Sequence, residues 1–288
     1  MDQASKLRTL LQNSSQKPNP NTHVIAITSG KGGVGKCTIS ANMANILAKN
    51  GRKTVLFDAD IGLANLDVLL NVRTSKNLLD VLKGECEFGD IIVEVKQNLY
   101  LVPGESGADI FKFNDRFLLD KFMSDAAILN EADFLIIDTG AGIGPSTQTF
   151  LGASDEVIVV TTPDPAAITD AYAVIKTSCN EKKRIFMIIN FAKNEDEARK
   201  IFNTIKSVAK RNIDGLELEL LGFIVRDSVV SRSIKNRTLF SDEAPNTLPS
   251  TGLKAATSNL LYAMEQKVLD GGNDHSFVGF FKRLAEKF

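Results

Sequence analysis

The sequence predicts a single doubly wound α/β domain, a mostly parallel sheet with helices on both faces. Three observations carry this. First, HVIAIT, KTVLFD, NLYLVP, DFLIID, EVIVVT, RIFMII and ELLGFIV are near-continuous apolar runs, the pattern of strands buried on both faces. Second, stretches near 38–50, 115–129, 166–179 and 195–211 have helical periodicity and alternate with those runs, as crossover helices of a parallel sheet do. Third, 288 residues suffice for one sizeable core or at most two small ones.

The elements follow in order. Ala4, Leu7, Leu10 and Leu11 stand at helical spacing, so residues 1–13 predict a short helix, and the breaker-rich SSQKPNPNT makes 14–22 a linker. Strand and helix alternation then fills 23–270, and its last helix, near 252–269, stops at Gly271-Gly272. A second short helix occupies 275–288.

Composition excludes several classes. Lysine plus arginine (34) balances aspartate plus glutamate (35), which disfavours a bulk electrostatic nucleic-acid binder. Cys37, Cys86 and Cys179 form no CxxC pair, and only two histidines are present, so neither a disulfide framework nor a zinc site is indicated. The polar start MDQASKLRTL is no signal peptide. No run reaches the roughly 18–20 apolar residues of a membrane-spanning helix. A cytoplasmic protein with peripheral membrane contact is expected.

Strand HVIAIT runs into Gly30-Lys31-Gly32-Gly33-Val34-Gly35-Lys36-Cys37-Thr38 and then a helix. Strand, glycine-rich loop and helix is the context of a phosphate loop. Its glycines let successive N–H groups turn inward as an anion nest, and the helix N-terminus adds partial positive charge. Lys36 is placed to reach the β- and γ-phosphates. Lys31 adds more charge than one triphosphate requires; a solvated loop lysine is the alternative. Where the pattern has a Ser or Thr hydroxyl for Mg²⁺, this chain has Cys37, a soft ligand for a hard cation. Thr38 stands one residue too late. Weak Mg²⁺ binding and slow hydrolysis are expected.

Asp58 and Asp60 end the run KTVLFD, and Asp138 ends DFLIID before the glycine loop 140–144. Ligands of open α/β sheets bind at such strand ends. RIFMII ends at Asn190, and Arg226-Asp227, candidates for closing over the base, follow the next strand. The Asn-Lys-x-Asp of guanine-specific proteins is absent.

The loop GKGGVGK resembles the deviant Walker A motif of the MinD/ParA family, and DADIGLANLD and DFLIIDTG resemble its first switch and its Walker B strand with second switch. The resemblance covers roughly 23–288 and implies a P-loop fold of the SIMIBI, MinD-like kind that binds ATP and Mg²⁺. It implies that Lys31 reaches the nucleotide of a second copy, making an ATP-dependent homodimer. It also implies that Asp60 positions the attacking water, that Asp58 supports the magnesium shell, and that Asp138 holds a magnesium-bound water. Gly140 would approach the γ-phosphate through its N–H, and Asn190 would read adenine. Lys31, Lys36, Asp60 and Asp138 thus form the expected catalytic set.

The two ends narrow the family. Phe277, Val278, Phe280, Phe281, Leu284 and Phe288 fall on one face at about 100° per residue, with Lys282, Arg283, Glu286 and Lys287 on the other. That pattern suits a helix lying on anionic lipid; packing on its own domain is the alternative. Asp2-Gln3-Ala4-Ser5-Lys6-Leu7-Arg8 resembles the D-Q-A-x-x-L-R signature of the FlhG family of MinD-like flagellar regulators. Thr162-Pro163-Asp164-Pro165-Ala166-Ala167-Ile168-Thr169-Asp170-Ala171-Tyr172 is similar to a second segment of that family, with Asp164 in place of glutamate. This resemblance implies that Gln3, Leu7 and Arg8 engage the SRP-type GTPase FlhF and stimulate its hydrolysis, at the inner membrane face near the cell pole. A flagellar transcription regulator or a switch-ring component is a further candidate partner. A division-site MinD protein, a DNA-partitioning ParA protein and a nucleotide-gated scaffold with little turnover remain as alternatives.

Overall fold

A computed structural model describes residues 22–60, 65–104, 131–182, 184–268 and Arg283. The expected N-terminal helix with Gln3, Leu7 and Arg8, the stretch 115–129, and Phe277, Val278, Phe280, Phe281, Leu284 and Phe288 lie outside the described residues.

Among these residues the strands are β1 (His23–Ser29), β2 (Thr54–Ala59), β3 (Val93–Lys96), β4 (Leu99–Val102), β5 (Phe134–Ala141), β6 (Glu156–Thr161), β7 (Arg184–Ala192) and β8 (Glu217–Val225). They form one sheet of order β3-β4-β2-β5-β1-β6-β7-β8. All neighbours are parallel except β3 and β4. The helices are α1 (Lys36–Lys49), α2 (Leu66–Leu69), α3 (Leu78–Leu82), α4 (Phe88–Ile91), α5 (Pro145–Ala153), α6 (Pro165–Ser178), α7 (Glu195–Asn212), α8 (Ser228–Asn236), α9 (Phe240–Glu243) and α10 (Leu248–Val268).

The apolar runs behave as their sequence predicts. Every residue of β2 and of β6 is buried, because helices cover both faces of the sheet. One core lies between the sheet and α3 to α7, built on Val24, Phe57, Leu135 and Phe202. The other lies under α1 and α8 to α10, built on Ile25, Ile39, Leu56 and Leu253. Alternate residues of a strand point to opposite faces, so Val24 and Ile25 serve different cores.

Strand β3 and helices α2 to α5, α8 and α9 were not expected from the runs above. Four of these helices have local signals. Asn77 and Glu87 each form a capping box, Asp227 caps α8, and α5 opens on Pro145. Strand β3 is half exposed along its length, so it lacks the continuous apolar signature of its neighbours.

Register brings the chemistry together. Ile27 pairs with Asp138 across β1 and β5, and Asp58 pairs with Asp138 across β2 and β5. Strand β1 sits between β5 and β6, and its carboxyl end opens into the glycine loop at the point where strand order reverses. That is the ligand crevice of an open α/β sheet.

Candidate functional site

Helix α1 starts at Lys36 on the left-handed Gly35, with φ 89°. A Cβ there would lie 2.3 Å from Asn190 Nδ2, so glycine is required by both conformation and space. At Gly30 an added Cβ would fall 2.2 Å from the backbone of Asp170. The loop therefore rests on α6 and β7, while Gly32 and Gly33 face open space. That contrast is what an anion cradle needs: a braced floor and an open mouth.

Lys36 is buried, with its Nζ 2.9 Å from Asp138 Oδ1 and 3.8 Å from Asp60 Oδ2. Burial alone would lower its pKa, but Asp138, Cys37 and Asp60 together hold it above the ordinary lysine value. Ser40 Oγ donates to the same Asp138 oxygen at 2.8 Å. The other oxygen, Asp138 Oδ2, is buried without a hydrogen-bond partner. A charged oxygen left so is costly, and a metal-bound water would satisfy it. The residues present thus fit a triphosphate and its magnesium: a glycine loop open at Gly32 and Gly33, a lysine, and a carboxylate with a spare acceptor.

Cys37 occupies the helix position where a hydroxyl is expected. Burial first, and the Asp138 charge second, push its thiol up to about 12, so it stays protonated. Lys36 Nζ lies 3.4 Å from its sulfur. Thr38 stays on α1, and its carbonyl accepts from Asn42 Nδ2 at 2.8 Å.

Asp58 spends both oxygens on backbone. Oδ1 accepts from Asp60 N at 3.2 Å, and Oδ2 accepts from Asn65 N and Leu66 N at 3.0 and 3.1 Å. Burial raises its pKa to about 6, with the Asp138 charge adding and the Leu66 N–H opposing. Asp58 therefore ties Asp60 to Asn65 and Leu66. Asp60 is partly exposed, and its pKa is raised by burial first, against the pull of Lys36. A Cβ at Gly140 would lie 3.4 Å from Asp60 Oδ1, so the backbone at Gly140 passes close to the Asp60 carboxylate. Thr147 Oγ1 donates to Gly140 O at 3.4 Å, tying the glycine loop to α5.

Other expected residues hold structure in this form. Asn190 Nδ2 donates to Val34 O at 2.7 Å, and its Oδ1 accepts from Phe191 N; its amide braces the glycine loop from β7. Asp227 Oδ1 accepts from Val229 N at 2.9 Å and caps α8. Lys31 Nζ is 3.1 Å from Asp164 Oδ2 of its own chain, both about half exposed. That bond leads the causes that lower the Asp164 pKa, and solvent access leaves it open to exchange.

Sequence reasoning passed over Ser40, Thr147 and Phe191. Ser40 lies one helical turn after Lys36, a spacing that places both on one face. Phe191 has φ 58°, uncommon for a bulky residue, and the Arg226 guanidinium sits 5.4 Å from its ring centroid. No local pattern announces that conformation.

The parallel sheet, the glycine loop at the end of its central strand and the buried lysine–aspartate pair define a P-loop nucleoside triphosphatase. The family model described as ParA, NUBPL iron-transfer P-loop NTPase, matches residues 21–261. The flagellum site-determining protein YlxH of Helicobacter pylori is 45% identical over 99% of this chain and 98% of its own length. The antiactivator FleN of Pseudomonas aeruginosa is 36% identical over 82% and 85%. Among solved structures, the MinC:MinD cell division complex of Aquifex aeolicus is 28% identical with a TM-score of 0.68, covering 84% of this chain and 96% of that one. The chain belongs to the ParA/MinD family of P-loop NTPases, in the group that holds YlxH (FlhG) and FleN.

Proposed function

We propose that this protein is an ATPase that regulates flagellar placement and number, pairing face to face around ATP and docking on the membrane when paired. One observation carries the nucleotide part: the buried Lys36–Asp138 pair at the mouth of a braced glycine loop. The likeness to YlxH over 99% of the chain supports the flagellar part.

In this reading Lys36 would hold the β- and γ-phosphates, and Asp138 would hold a metal-bound water. Bound magnesium would supply charge neutralisation at the phosphates. Asp60 orients the attacking water, and Gly140 offers its N–H to the γ-phosphate. Lys31 exchanges Asp164 for the phosphates of a second copy. Asn190 and Asp227 serve the base, Asn190 by turning its amide from Val34 O. Residues 1–13, through Gln3, Leu7 and Arg8, stimulate an FlhF-type GTPase. Residues 275–288 lie on anionic lipid, where two weak helices in one dimer gain avidity. Among the described residues no helix is long and apolar enough to cross a membrane.

The test has two arms. Light scattering with Mg²⁺ and a slowly hydrolysed ATP analogue should give a dimer, lost in Lys31→Ala. A 1–22 peptide should stimulate an FlhF GTPase, and Gln3→Ala should abolish that. A protein that stays monomeric at saturating nucleotide contradicts the reading. A second reading, a nucleotide-gated scaffold with little turnover, is favoured by one observation, the protonated Cys37 at the hydroxyl position. Measured phosphate release with Mg²⁺ and lipid separates the two.

A further inference from the structure

Sulfur and carboxylate converge at the start of α1. Cys37 Sγ lies 3.4 Å from Lys36 Nζ, and the same ammonium lies 2.9 Å from Asp138 Oδ1. The Asp138 carboxylate acts directly on the Cys37 thiol, so the two side chains are neighbours. The Asp138 side chain is almost wholly buried, yet its second oxygen has no hydrogen-bond partner. An orphaned acceptor beside a sulfur is the start of a donor set.

Neither nearby hydroxyl stands in for the sulfur. Ser40 Oγ donates to Asp138 Oδ1 at 2.8 Å and sits 3.1 Å from Lys36 O, on the turn that holds the carboxylate in place. Thr38 lies two positions after Lys36, and helix residues two apart do not face each other. Its hydroxyl is therefore turned away from the Lys36–Ser40 face.

Among the described residues no three His, Cys, Asp or Glu side chains form a metal site by themselves. Cys37 and Asp138 are two donors, so phosphate oxygens must provide others, and a cation would bind with nucleotide rather than before it. The donor set then decides which cation. Mg²⁺ demands oxygen ligands and gains little from sulfur. First-row divalent ions keep the phosphate and carboxylate oxygens and also accept sulfur, with affinity rising from Mn²⁺ through Fe²⁺ to Co²⁺.

We propose that the nucleotide-loaded site selects a borderline first-row divalent cation, Mn²⁺ or Co²⁺ over Mg²⁺, with Cys37 Sγ as a direct ligand. On coordination the S–H bond breaks, a sulfur–metal bond forms and the proton leaves to water; no electron changes hands. This rests on the nucleotide reading above and deepens it. Slow turnover with Mg²⁺ then reflects the cation supplied and not a missing ligand.

Two measurements on the full chain with ADP test it. In the first, Mn²⁺ and Mg²⁺ compete for the ADP-loaded protein, and the paramagnetic resonance of free Mn²⁺ reads the outcome. The preference for Mn²⁺ should fall at least about tenfold in Cys37→Ser, and also in Cys37→Ala, which removes the sulfur without adding an oxygen. Equal preferences in the three proteins overturn the proposal. In the second, Co²⁺ with ADP should give a sulfur-to-cobalt charge-transfer band in the near ultraviolet, absent without ADP and absent in Cys37→Ser. A band that persists in Cys37→Ser belongs to Cys86 or Cys179 and overturns the assignment. No band in the wild type overturns it without any variant. Titration with a fluorescent ADP analogue keeps the two readings apart. ADP bound with no band leaves the nucleotide reading standing and removes the sulfur ligand, whereas no ADP bound with any of the three cations sinks both.

Discussion

Lys36 and Asp138 face each other at 2.9 Å with side chains only 5% and 1% exposed. Two charges taken that far from water depend on each other, because neither has bulk solvent to fall back on. Asp138, inside β5, therefore has a structural duty.

Asp138→Asn should leave the Lys36 ammonium buried without its counter-charge and cost about 3–5 kcal/mol. Denaturant unfolding without nucleotide would measure this. Adding Lys36→Met should recover most of the loss, since the stranded charge is then gone. A double variant as unstable as the sum of the singles would refute the pairing argument.

Cys37→Ser should strengthen Mg²⁺-dependent nucleotide binding by about tenfold, or ~1.4 kcal/mol. A hydroxyl is a hard oxygen ligand, whereas the present thiol, pushed up to about 12, stays protonated at working pH. Magnesium titrations of ADP affinity and of turnover read the change. Equal affinities in the two proteins would show that Cys37 does not limit the metal.

Asp58 makes stability depend on pH with a definite sign. Its folded pKa is about 6 against an ordinary 3.8, so the folded state binds this proton more tightly than the unfolded chain. Its favourable contribution is complete below 3.8 and is lost as pH rises through about 6, a change on the order of 2–3 kcal/mol. Unfolding free energies from pH 3.5 to 7 should show this fall, and Asp58→Asn should flatten it. The slope is the diagnostic, because the variant also disturbs the N–H groups of Asn65 and Leu66.

Gly35→Ala should lose both stability, by about 1–3 kcal/mol, and nucleotide binding. The residue sits at φ 89°, and its new methyl would strike Asn190 Nδ2. Gly32→Ala meets nothing within 4 Å, so it should leave unfolding unchanged and act only on nucleotide affinity. Calorimetric titration beside denaturation distinguishes the pair.

Asp227 is a candidate for the nucleotide and, in the structure, the cap of α8. Asp227→Ala should cost about 1 kcal/mol by loss of the cap, whereas Asp227→Ser keeps a capping oxygen and should restore it. Nucleotide affinity that falls in the serine variant would assign Asp227 to the base; unchanged affinity would leave it a cap.

Much of this architecture was legible along the chain. The doubly wound sheet followed from the apolar runs, since strands buried on both faces cannot alternate. The glycine loop, Lys36, Asp58, Asp60 and Asp138 were legible because strand-end chemistry is written in consecutive residues. Strand β3 was not, because a half-exposed edge strand of four residues carries no strong period. Asp58 illustrates the middle case. Its place at a strand end was readable, but its three backbone partners were not, since they depend on how the chain folds back at Asn65 and Leu66.

Local pattern settled the strands, the glycine loop and the set of charged residues around it, because each of these depends on neighbours in sequence. Pairings between distant segments came from strand order and register. Asn190 braces Val34 O across 156 positions, and Arg283 reaches Asp155 across 128. Such contacts depend on how distant segments pack in space, and periodicity in one stretch of chain carries no information about that.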